Sequence, residues 1–299
     1  MPGIRLWWAA ARPFSFTASV IPVLVGTLLA AYHGDFTWWI GLLALFGSVA
    51  IHAGTNFVND YFDDRKGADS VESLGPAGFI QRGILRPNQV LAAGIVCFTA
   101  GSVIGLVLVW ATSIELLWLG LAAVLAGFLY TGWPLHLAYL ALGELTVFIF
   151  MGPVMVMGAY FVQTETWALD AFLASLPIAF LVTAILHANN IRDIESDRQV
   201  GKRTLATLIG REKANWEMYG LLAGAYLMLV LAVALGALPW PALIALITIP
   251  AAIPIARICA AGGDPRKLNM ALVRSAQLHM RFGLVLSVGL GIAVALDAL

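Results

Sequence analysis

The chain has 299 residues, 61% of them hydrophobic and only 11% charged, with a mean hydropathy of +0.88. A soluble domain of this size carries about a quarter charged residues, so these values exclude an ordinary soluble globular protein and indicate a polytopic membrane protein. Seventeen basic residues balance 17 acidic ones, which leaves no electrostatic reason for a nucleic-acid partner.

A bilayer core of about 30 Å needs about 20 apolar residues per helix. That ruler predicts nine spans, near 13–32, 38–61, 88–111, 114–131, 140–162, 171–193, 214–236, 239–258 and 270–297. Arg5 and Arg12 precede the first span, which reads as a membrane helix rather than a cleaved leader because eight more follow. The second runs into the acidic stretch NDYFDDRKGAD, Asn59 to Asp69. Pro87 opens the third, the fourth is short, and Pro134 separates it from the fifth, which begins around Tyr139 and Glu144. The sixth runs into a second polar stretch, NNIRDIESDRQVGKRTL, Asn189 to Leu205, and Pro239 and Pro241 open the eighth. Cys97 and Cys259 lie in apolar runs without metal-ligand spacing and read as small core residues. Trp7, Trp8, Trp38, Trp39 and Trp110 fall at span ends, as interfacial belt residues do.

All 17 basic residues fall on the N-terminal side, in the segments after spans 2, 4, 6 and 8, or at helix ends bordering them. The opposite loops, such as His33–Asp35 and 163–170, contain none. This asymmetry predicts a cytoplasmic N-terminus, both acidic motifs on the cytoplasmic face of the plasma membrane, and the C-terminus on the opposite side. Asn59 and Asp63 repeat as Asn189 and Asp193 at an offset of 130 residues, about four helices. The expected architecture is therefore an all-α integral membrane protein. Its nine helices surround a central cavity in one domain over 1–299, with a two-fold four-helix repeat carrying motifs at 56–69 and 189–205.

Asn56, Asn59 or Asp60, and Asp63 share a face if the second span stays helical, and Asn189, Asp193 and Asp197 do the same at i, i+4, i+8. Carboxylate and amide oxygens suit Mg²⁺, which is usually held by one or two carboxylates plus substrate phosphate. An Asp at the membrane centre costs about 2.5–3.5 kcal/mol, so these acids belong at helix ends facing a wet cavity. Two carboxylates about 5 Å apart at a dielectric near 20 repel by roughly 3 kcal/mol, so converging motifs need cations between them. Arg65 and Lys66 follow the first acids, and Arg198, Lys202 and Arg203 follow the second, as a departing diphosphate requires. Arg82, in the loop after the first motif, is a further phosphate candidate. Glu144 is an ionisable residue in an apolar setting and a functional candidate with Tyr139, both able to meet an aromatic substrate or a neighbouring helix. His187 reads as a packing or hydrogen-bonding residue.

The paired motifs resemble those of the UbiA-type intramembrane aromatic prenyltransferases, NDxxDxxxD and DxxxD. Asn59, Asp60 and Asp63 match the first, and Asp193 and Asp197 the second. Gly67 stands where the general pattern has an acid, and the next acid is Asp69. The resulting NxxxDxxxGxD, with NNIRDIESDRQVGKRTLA and YLALGE, is similar to the 1,4-dihydroxy-2-naphthoate polyprenyltransferases of the menaquinone branch. That branch often has GLGE, and this chain has Ala141 at its first glycine. The resemblance implies Mg²⁺-dependent transfer of a polyprenyl group from its diphosphate to 1,4-dihydroxy-2-naphthoate, with loss of the carboxylate. It implies Asn59, Asp60, Asp63, Asp69, Asn189, Asn190, Asp193 and Asp197 as the metal-side set, with Asp63, Asp193, Asp197 and Glu144 central to catalysis. Asn56, Arg65, Lys66, Arg82, Tyr139, Arg198, Lys202 and Arg203 would meet the substrates. Within the family the alternative acceptors are 4-hydroxybenzoate, homogentisate, a chlorophyllide or haem. From another class, a cation-coupled transporter also uses acids on broken helices, but its sites usually lie near the midplane.

Overall fold

A computed structural model describes residues 3–67 and 78–298; Asp69 lies outside the described residues. Among the described residues the regular structure is helical, apart from an isolated bridge between Leu140 and Arg203. A short helix α1 (Ile4–Ala10) precedes α2 (Thr17–Tyr32), α3 (Trp38–Arg65), α4 (Pro87–Ala111) and α5 (Glu115–Leu129). The second half holds α6 (Gly143–Ile149), α7 (Met155–Thr164), α8 (Leu169–Arg192), α9 (Ile194–Gln199) and α10 (Leu205–Ala234). It ends with α11 (Ile249–Ala261) and α12 (Pro265–Asp297).

Eight helical segments among the described residues are long and apolar enough to cross a membrane, which identifies an integral membrane protein. The ninth expected span is α5, whose 15 residues rise only about 22 Å, yet it carries the chain back from Glu115, which meets Trp167 in the opposite loop, to Thr131 beside Asn59. Three spans are interrupted. Pro153 has no N–H to continue the ladder, and Phe150–Val154 form a π-helical bulge joining α6 to α7. Gly210, at φ 79°, kinks α10 near its start, and a 3₁₀ segment, Trp240–Thr248, leads into α11.

The helices close into a ring. α3 packs on α4, α4 on α5, and α5 on α7; α8 packs on α10, α10 on α11, and α11 on α12, which returns to α2. The pairing of α3 with α4 in one half recurs as α8 with α10 in the other. Burial is concentrated on one side, where Ile21, Leu29, Ile178, Leu181, Met218 and Phe282 form the main core of α2, α8, α10 and α12. Two glycines permit the closest approaches. A methyl group at Gly26 would collide with the Val156 carbonyl, and one at Gly152 with Ala179. The other side is looser. Of the apolar stretch of α4 only 22% is buried, against 56% in α8, so α4 turns most of its surface outward toward lipid. Between the packed side and this thin side lies a cavity of about 590 Å³.

Candidate active site at one end of the cavity

Helix α3 stays helical through Arg65, so Asn56, Asn59 and Asp63 do share a face, and all three line the cavity. Each is fixed by a neighbour. Asn56 Nδ2 donates to the Ala11 carbonyl at 3.0 Å and to Ser15 Oγ at 3.1 Å. Thr131 Oγ1 donates to Asn59 Oδ1 at 2.6 Å, and the Tyr139 hydroxyl donates to Asp63 Oδ1 at 2.8 Å. Asp60 is buried and forms an ion pair with Arg12, while Asp64 accepts from Gln81 Nε2 at 3.1 Å.

The second motif sits at a helix break. α8 ends at Arg192, Asp193 has φ −97° and ψ 10°, and α9 restarts at Ile194. The Asp197 N–H still reaches back to the Asp193 carbonyl at 2.8 Å. Arg192 forks around Asp193, with Nε to Oδ1 at 2.7 Å and Nη2 to Oδ2 at 2.6 Å. It also bonds Asn189 Oδ1 at 2.8 Å and Asn269 Oδ1 at 2.7 Å. Asn189 Nδ2 in turn donates to Asp193 Oδ2 at 3.2 Å. Lys202 Nζ lies 3.3 Å from Asp197 Oδ1, and Asp197 Oδ2 is buried without a hydrogen-bond partner. Burial pushes the Asp197 carboxyl up to about 6, against the opposing pull of Lys202. Burial also pulls the Lys202 ammonium down, but Asp197, Asp63 and Asp193 outweigh it and leave it raised.

Tyr139 joins the halves. The Ala141 N–H donates to the Arg203 carbonyl at 2.7 Å, which ties the α5–α6 loop to the α9–α10 loop. Lys66 Nζ then lies 3.8 Å from the Tyr139 ring centroid and Lys202 Nζ 5.6 Å from it, both at cation–π range. Burial holds the Lys66 ammonium below its usual value, over the opposing attraction of Asp63. The two motifs therefore face each other at one end of the cavity, with a tyrosine and two lysines between them.

The remaining expected residues divide. Asn190 lines the cavity and donates through Nδ2 to Glu144 Oε1 at 2.6 Å. Glu144 is buried beside it, with His187 Nδ1 3.4 Å from the same oxygen. His187 is thus a buried hydrogen-bonding residue, its Nε2 facing the Ala214 carbonyl at 2.8 Å. The side chains of Arg65, Arg82, Arg198 and Arg203 are exposed and do not line the cavity. Arg65 lies over Tyr61 at 5.2 Å, Arg198 bonds the Thr207 carbonyl at 3.1 Å, and Arg203 contributes its backbone. Sequence reasoning assigned no role to Arg192, Thr131 or Arg12. Arg192 carried a usable signal, since it stands inside the second motif, whereas Thr131 and Arg12 become neighbours only through packing.

Among the described residues no three carboxylates, histidines or cysteines converge on one point. The oxygen donors are instead divided at the end of the cavity: Asn59, Asp63 and Asn189 line it, while Asp193 and Asp197 stand just beyond, tied to it through Asn189 and Lys202. That arrangement, with the unpartnered Asp197 Oδ2, fits Mg²⁺ shared between few protein ligands and substrate phosphate, and not a closed protein cage.

The chain is 35% identical over 287 residues to the 1,4-dihydroxy-2-naphthoate octaprenyltransferase of Bacillus subtilis, covering 96% of this chain and 92% of that protein. It is 32% identical to the protein of the same name from Mycobacterium tuberculosis, covering 90% of each. Among solved structures, a UbiA homolog from Aeropyrum pernix K1 superposes with a TM-score of 0.69 at 18% identity, covering 95% of this chain and 98% of that one. A UbiA homolog from Archaeoglobus fulgidus bound to DMAPP and Mg²⁺ gives 0.63 at 14% identity, covering 94% and 99%. At these identities the structural matches establish the fold. The profile of the UbiA prenyltransferase family matches residues 19–293, and the chain belongs to that family.

Proposed function

We propose that this membrane prenyltransferase transfers a polyprenyl group from its diphosphate to 1,4-dihydroxy-2-naphthoate, with Mg²⁺ as cofactor. The carrying observation is the meeting of the two motifs, with Lys66, Lys202 and Tyr139 between them, at the polar end of a cavity with apolar walls. The names of the B. subtilis and M. tuberculosis relatives favour the naphthoate acceptor, and the Mg²⁺-bound A. fulgidus homolog favours the metal.

Asn59 and Asp63 on α3, and Asn189, Asp193 and Asp197 at the end of α8 and in α9, would hold the metal with the diphosphate. Bound Mg²⁺ supplies Lewis-acid stabilisation of the leaving group. Lys66 and Lys202 add fixed positive charge where negative charge develops. The allylic C–O bond breaks with its electron pair leaving on diphosphate, and the electron-rich ring attacks the allylic carbon. The acceptor carboxylate departs as carbon dioxide, returning its bonding pair to the ring, so prenyl naphthalenediol, carbon dioxide and diphosphate balance the reactants. Leu106, Leu121, Phe150 and Met151 line the cavity and keep water from the allylic carbon. Glu144, held by Asn190 and His187, positions the second motif from beneath. We place the motifs and the N-terminus in the cytoplasm and the C-terminus across the plasma membrane, because the basic residues gather on the motif side.

Purified protein in nanodiscs, given labelled polyprenyl diphosphate, Mg²⁺ and each acceptor separately, tests this. Prenylated naphthalenediol with release of carbon dioxide is expected. Turnover confined to 4-hydroxybenzoate or homogentisate would overturn the choice of acceptor.

A further inference from the structure

The cavity has two chemically different walls. On α3 most of the lining is polar, through Ser48, His52, Thr55, Asn56, Asn59 and Asp63, with Ile51 among them. The facing walls from α4, α5 and α7 are mainly aliphatic. A prenyl chain matches the aliphatic side, and the polar side is left for the flat, hydroxylated partner. An anion entering so apolar a space needs a cation to meet it. Among the described residues lining the cavity only Arg12 and Lys202 are arginine or lysine, and Lys202 is held at Asp197.

Arg12 is built into its place. It caps the Pro13–Phe16 turn at φ 60° and ψ 58°, a left-handed conformation that non-glycine residues rarely adopt. The Ser15 hydroxyl donates to the Arg12 carbonyl at 2.8 Å, and Asn56 holds the adjoining Ala11 carbonyl at 3.0 Å. This turn carries the side chain from the start of the chain to the cavity wall, where it is 20% exposed. Asp60 anchors the guanidinium from one side, yet Arg12 Nε is buried without a hydrogen-bond partner. A buried donor without an acceptor is costly, and a guanidinium has five N–H groups in a fork suited to a second carboxylate. Beside it, His52 is fixed by Ser19 Oγ at 2.8 Å on Nδ1 and keeps Nε2 3.3 Å from Ser15 Oγ, while Ser15 also accepts from Asn56. These groups stand one to two turns, roughly 5–10 Å along α3, from Asn59 and Asp63. An aromatic ring there lies beside the diphosphate end.

We propose that Arg12, flanked by Ser15, His52 and Asn56, is the binding site for the carboxylate of a hydroxyarene acceptor. The inference rests on the prenyl-transfer reading and adds the residue that distinguishes an acid from its decarboxylated analogue.

Binding measured anaerobically on the full chain in nanodiscs, without Mg²⁺ or prenyl diphosphate, tests it with no contribution from catalysis. Wild type is expected to bind 1,4-dihydroxy-2-naphthoate about 10- to 100-fold more tightly than 1,4-naphthalenediol, as for a charge-assisted bond made or lost. Arg12→Gln is expected to erase that preference while leaving the diol affinity within about twofold, and Arg12→Lys to restore part of it. The double variant Arg12→Gln with Asp60→Asn leaves no unpaired buried charge, and gives the same reading should the single variant not fold. Equal wild-type affinity for acid and diol would sink the proposal without any variant, as would a preserved acid preference in the Arg12→Gln proteins. Wild type that binds prenyl diphosphate in a parallel measurement with Mg²⁺ but neither naphthalene compound would overturn the naphthoate reading itself.

Discussion

The two acidic motifs occupy matching places in the two halves, but they are prepared differently. Asn59 and Asp63 lie on an unbroken helix and are held by neutral hydroxyls, from Thr131 and Tyr139. Asp193 and Asp197 flank a helix break and are each met by a cation, Arg192 and Lys202. A carboxylate held by a hydroxyl keeps its full charge for an incoming metal. One already paired with arginine or lysine is fixed in place at lower net charge and carries its cation to the site. On the proposed reading, the side held by hydroxyls would give the metal its more negative ligands, and the side paired with cations would let metal and basic groups share the diphosphate.

The largest test of this contrast is removal of the metal. Chelation by EDTA is expected to reduce prenyl transfer to background, with recovery on adding Mg²⁺; undiminished turnover would remove the metal from both sides. Next, Asp63→Ala and Asp193→Ala are each expected to lower turnover by about 10³-fold or more with expression intact, measured in membranes. Full activity in either would break the pairing of the motifs. Lys202→Met sharpens the contrast, because it leaves buried Asp197 uncompensated while Asp63 keeps its hydroxyl. A loss of about 10²-fold is expected, largely recoverable by raising Mg²⁺. Tyr139→Phe removes one hydroxyl from Asp63 and keeps the ring between the lysines, so about fivefold in turnover is expected, equivalent to about 1 kcal/mol. A loss as large as that of Asp63→Ala would give the hydroxyl a chemical role.

The smallest effect concerns the tie between the halves. Ala141 has φ 58°, a left-handed conformation in which a Cβ costs roughly 1–2 kcal/mol. Ala141→Gly is expected to raise thermal stability modestly, by about 1 kcal/mol or less once glycine's unfolded-state entropy is counted. Unchanged or lower stability in a melting experiment would show that the tie tolerates the alanine without strain. The same geometry accounts for the glycine that the naphthoate branch often carries there.

Much was legible before any folding. Apolar runs of about 20 residues had to be membrane helices, because hydrocarbon leaves backbone groups no partner outside the helix. The spacing of Asn56, Asn59 and Asp63 placed them on one face wherever the helix continued. The errors came where a local rule met packing. The fourth span is shorter than the ruler of about 20 residues, with only 15 in α5. Arg65 and Arg198 stood beside acids in sequence, but helical rotation turns their side chains away from the cavity, and adjacency along a helix is not adjacency in space; Arg203 lies in the α9–α10 loop with its side chain exposed.

Sequence alone determined the membrane helices, the two motif positions and their hard, oxygen-rich chemistry, since each depends on residue type and short-range spacing. Only the tertiary structure decided that Tyr139 bridges the motifs, that Arg192 grips Asp193, and that Arg12 crosses 48 residues of sequence to pair with Asp60. The reason is physical. Arg12 and Asp60 meet where a left-handed turn brings the start of the chain against α3, and Tyr139 meets Asp63 where the α5–α6 loop is tied to the α9–α10 loop. Those approaches are set by the packing of the whole bundle, which no local pattern encodes.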